Sequence, residues 1–253
     1  APEIPALSQP PNRYLARIPV TLECPEPMEG AIRHVLEGEY EADYDGIGLD
    51  ILDIGANVGS FALWASARWP GSHVRSYEPH PGTFEYLKRN TAGRRDITIV
   101  NAALFPGGLT RATFHGRFAG DGESGLAAYA ADTFVHGTLV ETYEVDVVDP
   151  ASLPSADVVK IDIEGGEGEV LAHLDLSRTS LVLLEFQNRR NRARVRDTLA
   201  ADFDILHDEE CAWAPLLGYT GYRADLKDDA YGRIFAVRKG VTRMTRRAPP
   251  EAG

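Results

Sequence analysis

Basic charge, cysteine and long apolar runs are all scarce in this chain. Its 253 residues include 38 acidic against 26 basic ones, a formal charge of −12, and such a surface repels a polyanion. Nucleic-acid binding normally needs a basic footprint that displaces counterions, so a small-molecule partner is expected and a nucleic-acid partner is not. Cys24 and Cys211, the two cysteines, lie far apart with no CxxC companion, which argues against a disulfide framework and a zinc site. No apolar run reaches roughly 18 residues, and the Pro-rich start from Ala1 to Pro11 lacks the regions of a signal peptide. A soluble, cytoplasmic protein with no membrane partner is the expectation. The seven histidines show neither HxxxH nor HExxH spacing, so all but His80, which has a suggestive position at a strand end, are read as ordinary polar residues rather than ligands or bases.

What is present is alternation. Short β-rich runs at Ile51–Ile54, Val74–Tyr77, Ile97–Val100, Val158–Ile163 and Leu181–Phe186 are separated by helical patterns, the signature of βαβ units and a parallel sheet. Helices are expected from near Val58, over Pro81–Asn90, over Glu167–Leu174 and through an arginine-rich stretch to about Leu199. The runs Phe203–Leu206 and Ile234–Val237 have no helical pattern between them and suit an antiparallel terminal hairpin. Leu109–Val148 reads as an insertion of β-like pieces around a Gly- and Ala-rich loop, Phe118–Ala131. Residues 1–45 are then an extension packed on or covering the core, 46–240 the main domain, and 241–253 a tail without fixed structure. The series Arg189, Arg190, Arg192, Arg194 and Arg196 is read as the solvated face of a helix.

Chemistry concentrates at strand ends. Asp53-Ile54-Gly55-Ala56-Asn57-Val58-Gly59 sits where a buried strand turns into a helix. Gly55 and Gly59 there let a ligand approach the backbone, and free amides at the helix start can meet an anion. Asp53 would offer a carboxylate to an ammonium group. Glu78, about twenty residues past Gly59, matches the acidic residue that hydrogen-bonds ribose hydroxyls. Lys160, Asp162 and Glu164 alternate toward one side of a later strand end, where open α/β sheets bind ligands.

In this order DIGANVGSF, YEPHP, NAAL and VVKIDIEGGEGEVL, with Glu185 in LLEFQ, resemble the FkbM-type S-adenosylmethionine-dependent methyltransferases. That resemblance implies an α/β, Rossmann-like class I methyltransferase fold: a mostly parallel seven-stranded sheet, helices on both faces and an antiparallel terminal strand. It also implies S-adenosylmethionine as donor, S-adenosylhomocysteine as product, and an acceptor hydroxyl on a sugar or polyketide-like natural product. Donor binding falls to Asp53, Gly55, Asn57, Gly59 and Glu78, with Ala56, Pro79 and His80 from the same motifs and Asn101 and Ala102 near the adenine. Gly166 departs from the pattern, which more often has Ala there.

A hydroxyl acceptor benefits from a base, and Asp162 and Glu164 are the catalytic candidates, with Glu185 and His80 behind them. Three carboxylates in IDIEGGE could in principle take Mg²⁺, but the spacing is not diagnostic and no metal ligands are assigned. Acceptor recognition is sought in Phe118–Phe134 and Trp213–Tyr231, including Tyr219, Tyr222 and Arg223. Two alternatives compete: an NAD-dependent oxidoreductase, which would favour GxGxxG over GANVG, and a non-catalytic nucleotide-binding protein of the same fold.

Overall fold

The computed structural model describes residues 22–116, 119, 124–129, 141–211 and 231–241. Most of the two segments named for acceptor recognition, and the tail from residue 242, lie outside the described residues. The chain enters through α1 (Glu29–Leu36) and then alternates β1 (Asp50–Ile54), α2 (Ser60–Arg68), β2 (His73–Tyr77), α3 (Pro81–Asn90) and β3 (Ile97–Val100). Four strands follow: β4 (Ala103–Leu104), β5 (Arg111–Gly116), β6 (Gly125–Leu126) and β7 (Glu141–Val148). The alternation then resumes with β8 (Val158–Ile161), α4 (Glu167–His173), β9 (Leu181–Phe186), α5 (Arg189–Leu199), β10 (Phe203–Cys211) and β11 (Tyr231–Arg238).

Seven strands form the main sheet in the order β10-β11-β9-β8-β1-β2-β3. From β9 to β3 all neighbours are parallel, whereas β11 runs antiparallel to both β9 and β10. This is the Rossmann-like sheet the resemblance implied, and its last strand does not sit at the edge but is inserted between β9 and β10. Strand order reverses between β1 and β8, which opens a crevice above their carboxyl ends. Strand β8 stops at Ile161, two residues before the expected end, because Glu164, Gly165 and Gly166 turn the chain with φ of +58°, +123° and +82°.

Each face of the sheet carries its own core. Against one face, Val170, Leu171, Val195 and Leu199 of α4 and α5 pack on Leu52, Ile54, Val159, Ile161 and Leu184. Against the other, α1, α2 and residues 22–49 pack on Ile51, Val74, Val158, Leu181 and Leu183. Every residue of α2 is buried, which only a helix covered on all sides can sustain. The second sheet, in the order β4-β7-β5-β6, begins directly after β3. Its two-residue β4 is too short to show a period in the sequence, so the expected start at Leu109 falls late.

The arginines of α5 are partly exposed, yet they are not unpaired. Arg192 bonds Asp208 at 2.9 Å and Glu210 at 2.7 Å, and Arg189 and Arg196 pair with Glu210 and Asp208 respectively. Arg194 lies 3.8 Å from Glu169. Carboxylates from β10 and α4 therefore answer the positive stripe.

Residues 39–45 form a strap over the second core, fastened by Arg68. That guanidinium is 6% exposed and reaches Glu41 at 2.7 Å, Asp45 at 2.8 Å and the Tyr44 carbonyl at 3.1 Å. Trp69 Nε1 donates to the same carbonyl at 3.1 Å. Arg68→Ala would strip the stem packing and remove the hydrogen bonds to Glu41, Asp45 and the Tyr44 carbonyl, which keeps Trp69 as a donor, a loss of about 2–3 kcal/mol. Arg68→Lys is expected to recover less than half of it, since an ammonium cannot span the fork. Urea denaturation of the two variants measures both.

Candidate active site

The crevice at the strand reversal is a cavity with about 650 Å³ of space between its atoms, part of it open to solvent. Its floor comes from the β1 turn and the β8 end. Gly55 has φ +80°, and a Cβ there would lie 1.7 Å from the Asp162 carbonyl oxygen, so the two turns can meet only around glycine. Amides of Gly55 and Ala56 both donate to the Tyr77 carbonyl, at 3.0 and 2.9 Å. Asn57 follows in the left-handed region at φ +48°. Its Oδ1 is buried and has no hydrogen-bond partner among the described residues.

Glu78, at the end of β2, is buried and forms the next wall. Its two oxygens accept from the amides of Asn57 at 3.0 Å and His80 at 2.8 Å. Each oxygen keeps a lone pair, so the group is oriented without being used up. Burial pushes this carboxyl up to about 7, against the pull of those two amides.

Of the donor-binding candidates, Gly55, Asn57, Glu78, Pro79 and Ala102 line the cavity, as do Asp162 and Glu164. The others support it from behind. Ala56 is buried in the turn, and Gly59 caps α2 against Leu87. Asn101 pins the turn after β2 by donating to the carbonyls of Glu78 at 2.7 Å and Pro79 at 3.1 Å.

Two candidates stand back from the lining. Asp53 is fully buried, bonded by Ser76 Oγ at 2.9 Å and 3.4 Å from the Lys160 ammonium. His80 is buried as well. Its Nδ1 caps α3 by accepting from the Thr83 amide at 3.1 Å, and its ring packs against Tyr143 with centroids 4.7 Å apart. The His80 amide meets the site through Glu78.

Lys160, 3% exposed, is the charge around which the floor is arranged. Its ammonium donates to the Gly55 carbonyl at 2.6 Å and sits 3.4 Å from Asp53 and 3.6 Å from Asp162. Desolvation disfavours that cation, but Asp162 and Asp53 outweigh it and hold the lysine above its ordinary range. For Asp53, desolvation raises the carboxyl and Lys160 opposes the rise.

Glu185, at the end of β9, joins the two catalytic candidates. Asp162, Glu164 and Glu185 each bring a carboxylate oxygen within 4.8 Å of the others, the grouping among the described residues that a hard cation would need. Sequence spacing could not show it, because the third carboxylate comes from a neighbouring strand. Burial, then the charges of Asp162 and Glu39, drive Glu185 well above the usual carboxylate range. Glu167, the remaining acid of the motif, is turned away and accepts from Asn191 Nδ2 at 2.7 Å.

The opposite wall is one that sequence reasoning missed. Leu104, Phe114 and Leu126 of the second sheet, with Tyr129 in the turn after β6, line the same cavity as the β1 motif; of these, only Leu126 and Tyr129 fall in the stretch named for acceptor recognition. Tyr129 also explains Gly166, since a Cβ at Gly166 would lie 2.2 Å from the tyrosine ring.

The Methyltransferase FkbM domain matches residues 53–218. Among individual relatives, 31-O-demethyl-FK506 methyltransferase FkbM of Streptomyces tacrolimicus is 28% identical over 156 residues, 49% of this chain and 59% of that protein. Hexuronic acid methyltransferase AglP of Haloferax volcanii is 27% identical over 159 residues, 62% of this chain and 61% of that one. The chain thus spans about three fifths of the length of these relatives. Aeropyrum pernix fibrillarin, solved with natively bound S-adenosyl-L-methionine, is 13% identical with a TM-score of 0.43, covering 83% of this chain and 74% of its own. With the family domain matched across most of the sheet, the chain belongs to the FkbM methyltransferase family.

Proposed function

We propose that this protein is an S-adenosylmethionine-dependent methyltransferase that methylates a hydroxyl of a small molecule. The observation that carries the reading is that Gly55, Asn57 and Glu78 share one cavity with Asp162 and Glu164. The residues present fit the donor. Asn57 Oδ1 is an orphaned acceptor at the cavity wall, suited to an ammonium group, and Glu78 has lone pairs to spare for ribose hydroxyls. Phe114, Leu126 and Tyr129 offer an apolar wall to a base. A dinucleotide fits less well, because its pyrophosphate would enter among Glu78, Asp162 and Glu164.

When bound, S-adenosylmethionine supplies a methyl carbon already activated by its sulfonium. The chain's own part is then to position and to accept a proton. Asp162 and Glu164, which line the same cavity, are the carboxylates that would take the proton of the acceptor's hydroxyl. The acceptor class rests on relatives named for a 31-O-demethyl compound and a hexuronic acid, together with a negative charge that disfavours nucleic acid. No helix of the described residues is long and apolar enough to cross a membrane.

Calorimetry tests donor binding directly: S-adenosylhomocysteine is expected to bind with a Kd on the order of micromolar and NAD not at all. The reverse result would make an oxidoreductase the better reading.

Glu78 gives a second expectation, through its proton. Because its folded value is raised to about 7, this group favours the folded state at acid pH, and that contribution is lost as pH rises through 7. Ribose hydroxyls donate to the ionised form, so S-adenosylhomocysteine should bind about tenfold more tightly at pH 8 than at pH 6, releasing a proton at the lower pH. Glu78→Gln should weaken binding about 10- to 100-fold and flatten the pH dependence. A flat profile in the wild type would remove Glu78 from the site.

For the chemical step, the protein is incubated with S-adenosylmethionine and a panel of monosaccharides, hexuronic acids and hydroxylated polyketides, and S-adenosylhomocysteine release is followed. Asp162→Asn is expected to lower turnover roughly 100-fold with little change in donor affinity. Equal losses in both would assign Asp162 to donor binding.

A further inference from the structure

The strap over the second core delivers one side chain to the site. Tyr40 is 1% exposed, its ring edge-on to Phe61 with centroids 5.3 Å apart and tilted against Phe235 at 6.2 Å. Its hydroxyl donates to Asp162 Oδ2 at 3.1 Å. The Lys160 ammonium approaches the same oxygen, at 3.6 Å, and lies 5.8 Å from the centroid of the Tyr40 ring. Both contacts fall on Oδ2, so among the described residues Oδ1 is the oxygen of Asp162 that no protein donor engages.

Phenylalanine would fill the same space and make the same ring contacts. The hydroxyl is therefore what needs explaining, and a phenol taken from water must find a strong acceptor to offset its lost hydration. Tyr40 finds it on a carboxylate at the cavity. The strap is also anchored independently of that contact. Arg68 grips it from α2, and Glu39, next to Tyr40, pairs with Arg233 of β11 at 3.1 Å. Tyr40 thus reaches Asp162 from a fixed backbone, and it lies ahead of the matched family region, which starts at residue 53.

We propose that Tyr40 is a positioning residue: with Lys160 it fixes Asp162 by one carboxylate oxygen and leaves the other aimed at the acceptor's hydroxyl. The inference rests on the reading of the protein as an O-methyltransferase. In that reaction the acceptor O–H proton passes to a carboxylate, the oxygen forms a bond to the donor's methyl carbon, and the carbon–sulfur bond breaks with its electron pair left on sulfur. Tyr40 touches none of the reacting atoms. Its effect is to hold Asp162 in one rotamer, so the carboxylate need not be ordered when the acceptor arrives.

The test compares wild type, Tyr40→Phe, Asp162→Asn and the double variant. Two readouts need no acceptor: the ¹³C resonance of the Asp162 carboxyl in labelled protein, and S-adenosylhomocysteine affinity by calorimetry. Tyr40→Phe is expected to move the resonance while the affinity stays within twofold. With an acceptor from the panel, Tyr40→Phe should lower kcat at least tenfold, and should cost nothing further in the Asp162→Asn background. An unmoved resonance overturns the proposal, as does an undiminished kcat or an equal loss in both backgrounds. If the wild type transfers a methyl group to none of the panel, it is the O-methylation reading that fails, and the resonance alone still decides whether Tyr40 holds Asp162.

Discussion

A single ammonium group, that of Lys160, joins the parts of this molecule that chemistry requires to be together. It reaches the Gly55 carbonyl on the β1 turn, Asp53 at the end of β1 and Asp162 beyond the end of β8. Taking one cation out of water is costly, and the cost is met only where several acceptors converge on it. That requirement constrains the backbone. The two turns must approach closely enough for one side chain to serve both, and the approach is possible only with glycine at position 55. Lys160 also sets the surroundings of Asp53. A carboxylate with no exposed surface, opposite a lysine, is a counter-charge beneath the floor, while Asn57 and Glu78 line the cavity above it.

The carboxylates around this cation differ because their surroundings differ. Glu78 is desolvated but bonded by two amides, and its proton is poised near neutrality. Asp162 is partly exposed and bonded by Tyr40 beside Lys160. Glu185 is driven upward by burial and by the neighbouring charges of Asp162 and Glu39. Groups of one chemical type, set apart in this way, can take separate tasks in one site. Glu78 is suited to hydroxyls that donate to it, and Asp162 to an acceptor that needs a fixed anion.

Local signals made much of this legible. The DIGANVG turn, Glu78 at the next strand end and the IDIEGG turn each combine a buried strand with glycines, and a turn of that kind is specified by its own few residues. The sheet followed from the same alternation, down to the antiparallel last strand. Other features were hidden for equally physical reasons. Lys160 and Asp53 stand on adjacent strands, so no spacing in the chain announces that they pair. His80 stands at a strand end in the sequence, and its burial is not legible there because the second sheet that packs on its ring begins only at residue 103. The α5 arginines were read as a solvated face, since their partners Asp208 and Glu210 come from a later strand.

The two features least visible in the sequence are also the two that lie outside the repeated βα pattern, and they bound the site on different sides. The second sheet and the turn after β6 contribute Phe114, Leu126 and Tyr129 to the cavity beside Glu78, the side that meets ribose and base if the donor binds as proposed. The strap contributes Tyr40 to Asp162, the side where the acceptor would approach under the same proposal. A doubly wound sheet supplies strand ends, turns and their glycines, which are generic to ligands placed over a switch point. It does not by itself exclude water from one side of the crevice or hold a carboxylate still on the other. Under the proposed function, both tasks fall to segments the sheet does not need for its own hydrogen bonding. Changes in those segments can therefore alter what the site accepts while the floor built on Lys160 and Gly55 stays as it is.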